Sequence, residues 1–168
     1  MYRYFATFPA GTDSLVKEIL LSKPGIVIEN TYTNMVIFKS PAQFQEVASQ
    51  PYFSNCFKLI SKFESRDMQD LIRISEWAFE RDTFIQFLRT ELGNRKMLFR
   101  FRFFEGSKTE SMPRDLINDL MAFVIDNTKL KYSSTKPELE ITFVKRSEGV
   151  SIVGLQYIDH KKYEPAPD

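Results

Sequence analysis

Arg100 and Arg102 alternate with Phe99, Phe101 and Phe103 in the segment KMLFRFRFF, residues 96–104. Successive side chains of an extended chain point to opposite faces. The spacing therefore predicts a strand with one phenylalanine face that packs and one arginine face that offers guanidinium groups. Such a face suits an anionic polymer better than a small-molecule cleft, because each guanidinium makes forked contacts to anionic oxygens. Phe104 shares the arginine face and is the candidate for stacking. Lys108 and Arg114 lie in the following loop, GSKTESMPR, and Lys145 and Arg146 approach a later turn. Arg100, Arg102, Lys108, Arg114, Lys145 and Arg146 are thus the candidate anion contacts.

Other chemistry finds little footing. The single histidine, His160, sits beside Asp159 in a polar tail, whereas a metal site normally takes three or four ligands. Cys56 lies in an alternating stretch, where a free cysteine behaves as a small apolar residue. As the only cysteine it allows no intrachain disulfide, which fits a reducing compartment. No GxGxxG, P-loop or GxSxG pattern occurs, and the six glycines are scattered at turns. Carboxylates occur singly. The expectation is no catalytic residue, no metal and no cofactor held by this chain.

The bulk figures set the scale. The chain has 168 residues, 43% of them hydrophobic, and a formal net charge of +1. That is ample for a core, and it excludes global attraction to polyanions as an argument. The charge is nevertheless uneven. Residues 93–136 hold nine basic and five acidic side chains, about +4, which leaves about −3 for the remainder. No apolar run approaches a membrane span. The alternating start MYRYFATFPAG lacks the continuous apolar core of a signal peptide. A cytoplasmic protein with no membrane partner is expected.

The elements that must position these residues fall into two sets. A strand over 2–9 is followed by a turn with candidate N-caps Thr12 and Asp13. A helix with the stripe Leu15, Val16, Ile19 and Leu20 then runs to Lys23, where Pro24-Gly25 stops it. Strands over 26–30 and 35–40 form a hairpin, a weak helix follows Pro41, and residues 53–64 read as a fourth strand. This βαββαβ order is that of a ferredoxin-like domain. A helix through Met68, Leu71, Ile72, Ser75 and Phe79 comes next, then one from Phe84 to Leu92. The basic strand and loop follow, with a helix from near Met112 through Leu116, Ile117, Leu120, Met121, Val124 and Ile125. A hairpin of 138–146 and 149–158 closes the segment. The predicted fold class is α+β. The predicted domains are 1–66, ferredoxin-like, and 67–158, an α/β subdomain, with 159–168 as a linker or tail and the boundary near residues 64–67.

The second of these resembles a THUMP domain, the RNA-binding module of tRNA-modifying enzymes. The matching features are the strand LFRFRF, the loop and helix after it, the Pro137-Glu138-Leu139-Glu140-Ile141 stretch and the Gly154-Leu155 step. The first half is similar to the ferredoxin-like domain that precedes THUMP in 4-thiouridine synthetases and in some tRNA and rRNA guanine-N2 methyltransferases. The opening YRYFATFPAGTDSLVKEIL looks most like the methyltransferase group. The resemblance implies a module that binds structured RNA, the acceptor end of tRNA, through the six basic residues. It further implies an S-adenosylmethionine-dependent catalytic domain linked C-terminally. No Asn-Pro-Pro-Tyr-type motif of such a domain occurs here, so this chain alone is expected not to be an enzyme. The alternatives are a stand-alone adaptor that delivers RNA to a separate enzyme and, with less support, a small-molecule-sensing domain.

Overall fold

The computed structural model describes residues 1–67, 69–80 and 82–159. The expected tail from His160 onward lies outside the described residues, as does Met68 of the helical stripe. Nine strands and five helices are described; hydrogen bonds link the earlier strands in the order β2-β3-β1-β4 and the later ones in the order β9-β8-β5-β6, with β7 on β5. The fold is α+β. The chain forms two compact units, Met1–Leu59 and Ile60–Ile158. The division by compactness falls inside β4 (Asn55–Glu64), a few residues before the charged stretch at 64–67. The reason lies at the far end of that strand: the Phe63 ring packs 5.1 Å from the Trp77 ring, within the second unit.

In the first unit β1 (Tyr2–Thr7) lies between β3 (Met35–Ser40) and the start of β4, antiparallel to both, and β2 (Val27–Tyr32) flanks β3. The Phe5 and Phe57 rings stack at 4.5 Å across β1 and β4. Helix α1 (Asp13–Ser22) buries Val16 and Leu20, one turn apart, whereas Leu15, also placed on the stripe, stands 55% exposed. Thr12 occupies the N-cap, but its hydroxyl donates back to the Pro9 carbonyl. The Asp13 carboxylate instead accepts the Asn34 backbone N–H at 2.9 Å. Asn34 has a φ of 61°, the left-handed conformation that asparagine tolerates and a β2–β3 turn requires. Helix α2 is brief, Phe44–Ala48.

In the second unit α3 (Asp70–Glu80) and α4 (Asp82–Leu92) precede the basic strand β5 (Leu98–Glu105). β5 runs parallel to β8 (Leu139–Lys145), and β8 pairs antiparallel with β9 (Val150–Tyr157). A parallel pair needs a long crossover, and α5 (Arg114–Asn127) provides it. That helix begins at Arg114 and not near Met112, because Pro113, with ψ 137°, is the extended N-cap residue. Two short strands escape the sequence patterns: β6 (Lys108–Thr109), folded back on β5, and β7 (Lys131–Tyr132), parallel to it. Two-residue strands are too short to show any period.

Phe99, Phe101 and Phe103 are buried as their alternation predicts, and the Phe103 and Phe143 rings stack at 5.0 Å. β8 is buried along its whole length, polar residues included. A central strand with a parallel neighbour is covered on both faces. No helix of the described residues is long and apolar enough to cross a membrane. Phe143→Ala, at a fully buried site, is expected to cost about 3–5 kcal/mol of stability. Urea unfolding of the wild type and the variant measures that loss.

Candidate functional site

The in-register parallel pairing sets Arg100 beside Glu140 and Arg102 beside Thr142, with the phenylalanines turned to the other face. Arg100 Nε donates to Glu140 Oε2 at 2.7 Å, and Arg102 Nη1 donates to the same oxygen at 3.4 Å. The Arg102 guanidinium carbon lies 5.0 Å from the Phe104 ring centroid, within cation–π range. The side chains of Arg100 and Arg102 are 30% and 35% exposed, and that of Glu140 is 11% exposed. The arginines are therefore half-buried partners of an acid and not the fully solvated row their alternation predicts. Alternation with Leu139 and Ile141 sets Glu140 on the phase opposite the core, which reads as solvated; its burial comes with the register, which also supplies the cations a covered carboxylate needs.

The other candidates divide. Lys108 on β6 and Arg114, the first residue of α5, are exposed. Lys145 is buried, because it shares its phase with Leu139, Ile141 and Phe143. Its ammonium faces Glu105 at 4.0 Å, opposite it on β5. The side chain of Arg146 is mostly covered, with Nε donating to Glu148 Oε1 at 2.9 Å. The expectation that Lys145 and Arg146 extend a solvent-facing patch is thus corrected.

Near Lys145, Asp70 opens α3 and accepts the backbone N–H groups of Asp67, at 2.7 Å, and of Arg66. Burial pushes its carboxyl up. The two N–H bonds and the Lys145 charge outweigh that, and the net effect is a pKa below the ordinary carboxylate value. In the first unit a cavity of about 420 Å³ is lined by Leu20, Lys23, Phe38, Glu46, Tyr52 and Phe53 among others, none of which the sequence marks as a candidate site residue. Cys56 is buried on β4, and burial pushes its thiol well above its ordinary range. No cluster of His, Cys, Asp or Glu suited to a metal is present among the described residues.

No protein-family model matches the sequence, and no curated protein matches it. Solved structures do. The chain is similar over 98% of its length to TrmN from Thermus thermophilus, with a TM-score of 0.61 and 11% identity, covering 46% of that chain. It is similar over 92% to a possible methylase from Clostridium difficile 630, with a TM-score of 0.59 and 12% identity, covering 40% of it. It is similar over 94% to a 4-thiouridine synthetase solved as an RNA complex with bound ATP, with a TM-score of 0.50 and 14% identity, covering 42%. The fold is therefore THUMP-domain-like, and the chain spans less than half the length of each of these proteins.

Two stability measurements test the charge placements. The Asp70 carboxyl is depressed in the folded state. Its contribution is therefore complete above the unfolded value, about 3.9, and is lost as pH falls through the folded value. The stability gap between wild type and Asp70→Asn should accordingly be large at neutral pH and narrow as pH falls below that of an ordinary carboxylate. Arg100→Glu sets a second carboxylate against Glu140. It should cost roughly 2–3 kcal/mol, below the ~3–5 of a fully buried pair because Arg100 is partly solvated. Chemical denaturation reads both.

Proposed function

We propose that this chain is the RNA-binding module of an RNA-modifying enzyme, the N-terminal part of an S-adenosylmethionine-dependent RNA methyltransferase. It holds structured RNA, the acceptor end of a tRNA, while a covalently linked C-terminal domain acts on a distant nucleotide. The observation that carries the reading is the likeness over nearly the whole chain to TrmN, a possible methylase and a 4-thiouridine synthetase solved with RNA. The basic side chains of the second unit support it.

In this reading residues 1–66 are the ferredoxin-like domain and 67–158 the THUMP domain. The all-antiparallel order β2-β3-β1-β4 supports the first assignment, since β3 separates the two strands that α1 joins. Binding is through phosphates and shape, with little base reading, because Lys and Arg on exposed elements supply charge without a donor–acceptor code. Lys108 and Arg114 carry the phosphate contacts, with Arg100 and Arg102 beside them. Lys145, facing Glu105 of β5, and Arg146, paired with Glu148 in the turn, take a smaller share of the contact.

The chain by itself is not an enzyme in this reading. Its residues do not fit S-adenosylmethionine, which wants a glycine-rich turn from a parallel strand into a helix. Gly11 follows the antiparallel strand β1, and Gly106 leads from β5 into the hairpin strand β6. The protein works in the cytoplasm, where tRNA is modified.

The test is tRNA binding by the 168-residue chain across a salt series. Wild type should bind with a steep salt dependence. Lys108→Gln and Arg114→Gln should each lower the slope of log K against log salt by about one unit. A wild-type chain that binds no tRNA at low salt overturns the proposal. Unchanged slopes in both variants would move the contact surface elsewhere.

A further inference from the structure

We infer that Arg102 and Phe104 form a stacking platform for an unpaired RNA base, with Glu140 and Arg100 as its mount. The inference rests on the RNA-binding reading above and adds to it a second kind of contact. Arg102 and Phe104 are two residues apart on one face of β5, and the guanidinium carbon stands 5.0 Å from the ring centroid. The guanidinium edge is held by Glu140 Oε2 at 3.4 Å, and that carboxylate is held in turn by Arg100 Nε at 2.7 Å. Arg100 Nη1 also lies 3.5 Å from the Ser134 carbonyl. Thr142, opposite Arg102 in the parallel register, is buried. The planar cation is therefore fixed on a packed strand while its side chain keeps 35% exposure.

The charge arithmetic separates stacking from phosphate binding. Two guanidinium groups and one carboxylate leave a single net positive charge at this place. A surface built only to grip phosphate loses electrostatic affinity by placing an acid between two arginines. What the acid supplies is orientation. It turns a flexible cation into a plane of fixed tilt, and planes of this kind stack on bases, as aromatic rings and guanidinium groups do in single-stranded RNA recognition. Lys108 and Arg114, both exposed, remain for the phosphates.

The platform makes a prediction that phosphate contacts do not. It favours RNA with unpaired bases, and its loss leaves the salt slope alone. The experiment compares the 168-residue chain bound to a short unstructured single-stranded RNA and to a blunt RNA duplex of equal phosphate number. Phe104→Leu and Arg102→Lys are the variants, and Phe104→Tyr is the conservative control. Phe104→Leu and Arg102→Lys should each weaken single-strand binding about 5- to 150-fold, the range of one base–aromatic stack. Both should leave duplex binding and the single-strand salt slope unchanged, and Phe104→Tyr should behave as wild type.

The platform is overturned if wild type binds the duplex but not the single strand. It is overturned equally if Phe104→Leu, or Arg102→Lys should the leucine variant fail to fold, binds the single strand as wild type does. A variant that loses both RNAs alike also sinks it. If wild type binds neither RNA the platform falls, and the tRNA titration above decides whether the RNA-binding reading falls with it.

Discussion

The parallel pairing of β5 with β8 fixes most of what is distinctive in the second unit. Seven consecutive residue pairs run from Phe99 with Leu139 to Glu105 with Lys145: three phenylalanine–apolar pairs and the Glu105–Lys145 ion pair on one face, and Arg100 with Glu140, Arg102 with Thr142 and Phe104 with Val144 on the other. A slip of one residue exchanges the faces. It would drive Arg100 and Arg102 into the phenylalanine core and leave Glu140 with no cation in reach. The apolar face and the ionic face therefore enforce the same register.

Parallel geometry also determines where the basic residues stand. The chain cannot turn directly from β5 into β8, so it leaves through Gly106, folds back over β6 and crosses by α5. Lys108 and Arg114 both lie on this exit path, Lys108 directly opposite Glu105 at the end of β5 and Arg114 where α5 begins. The loop is an obligatory product of the topology, and a solvated connection is where exposed charge carries no burial cost.

Periodicity made the longer elements legible. The alternation in LFRFRFF, the helical stripe of α5 around Leu120 and Val124, and the closing hairpin could be read because each spans several periods. Leu15 misled because apolar type alone does not place a residue on the buried arc. β6 and β7 were too short to read. A basic residue near a turn reads as solvated, whereas Lys145 follows the phase of Leu139, Ile141 and Phe143 into the covered face and Arg146 turns to Glu148. The Arg–Glu partnership needed the register, which joins residues forty positions apart; the sequence showed both faces but not which rows would meet.

Cys56 gives the protein a built-in clock. It is the chain's single thiol, lies opposite Ala6 on the neighbouring strand, and is buried where its reactive thiolate form is suppressed. A thiol reagent can reach it only when the packing around this part of β4 opens and admits water. Its rate of labelling under native conditions therefore counts the openings of the core at one position, with no engineered probe and no second cysteine to confuse the signal.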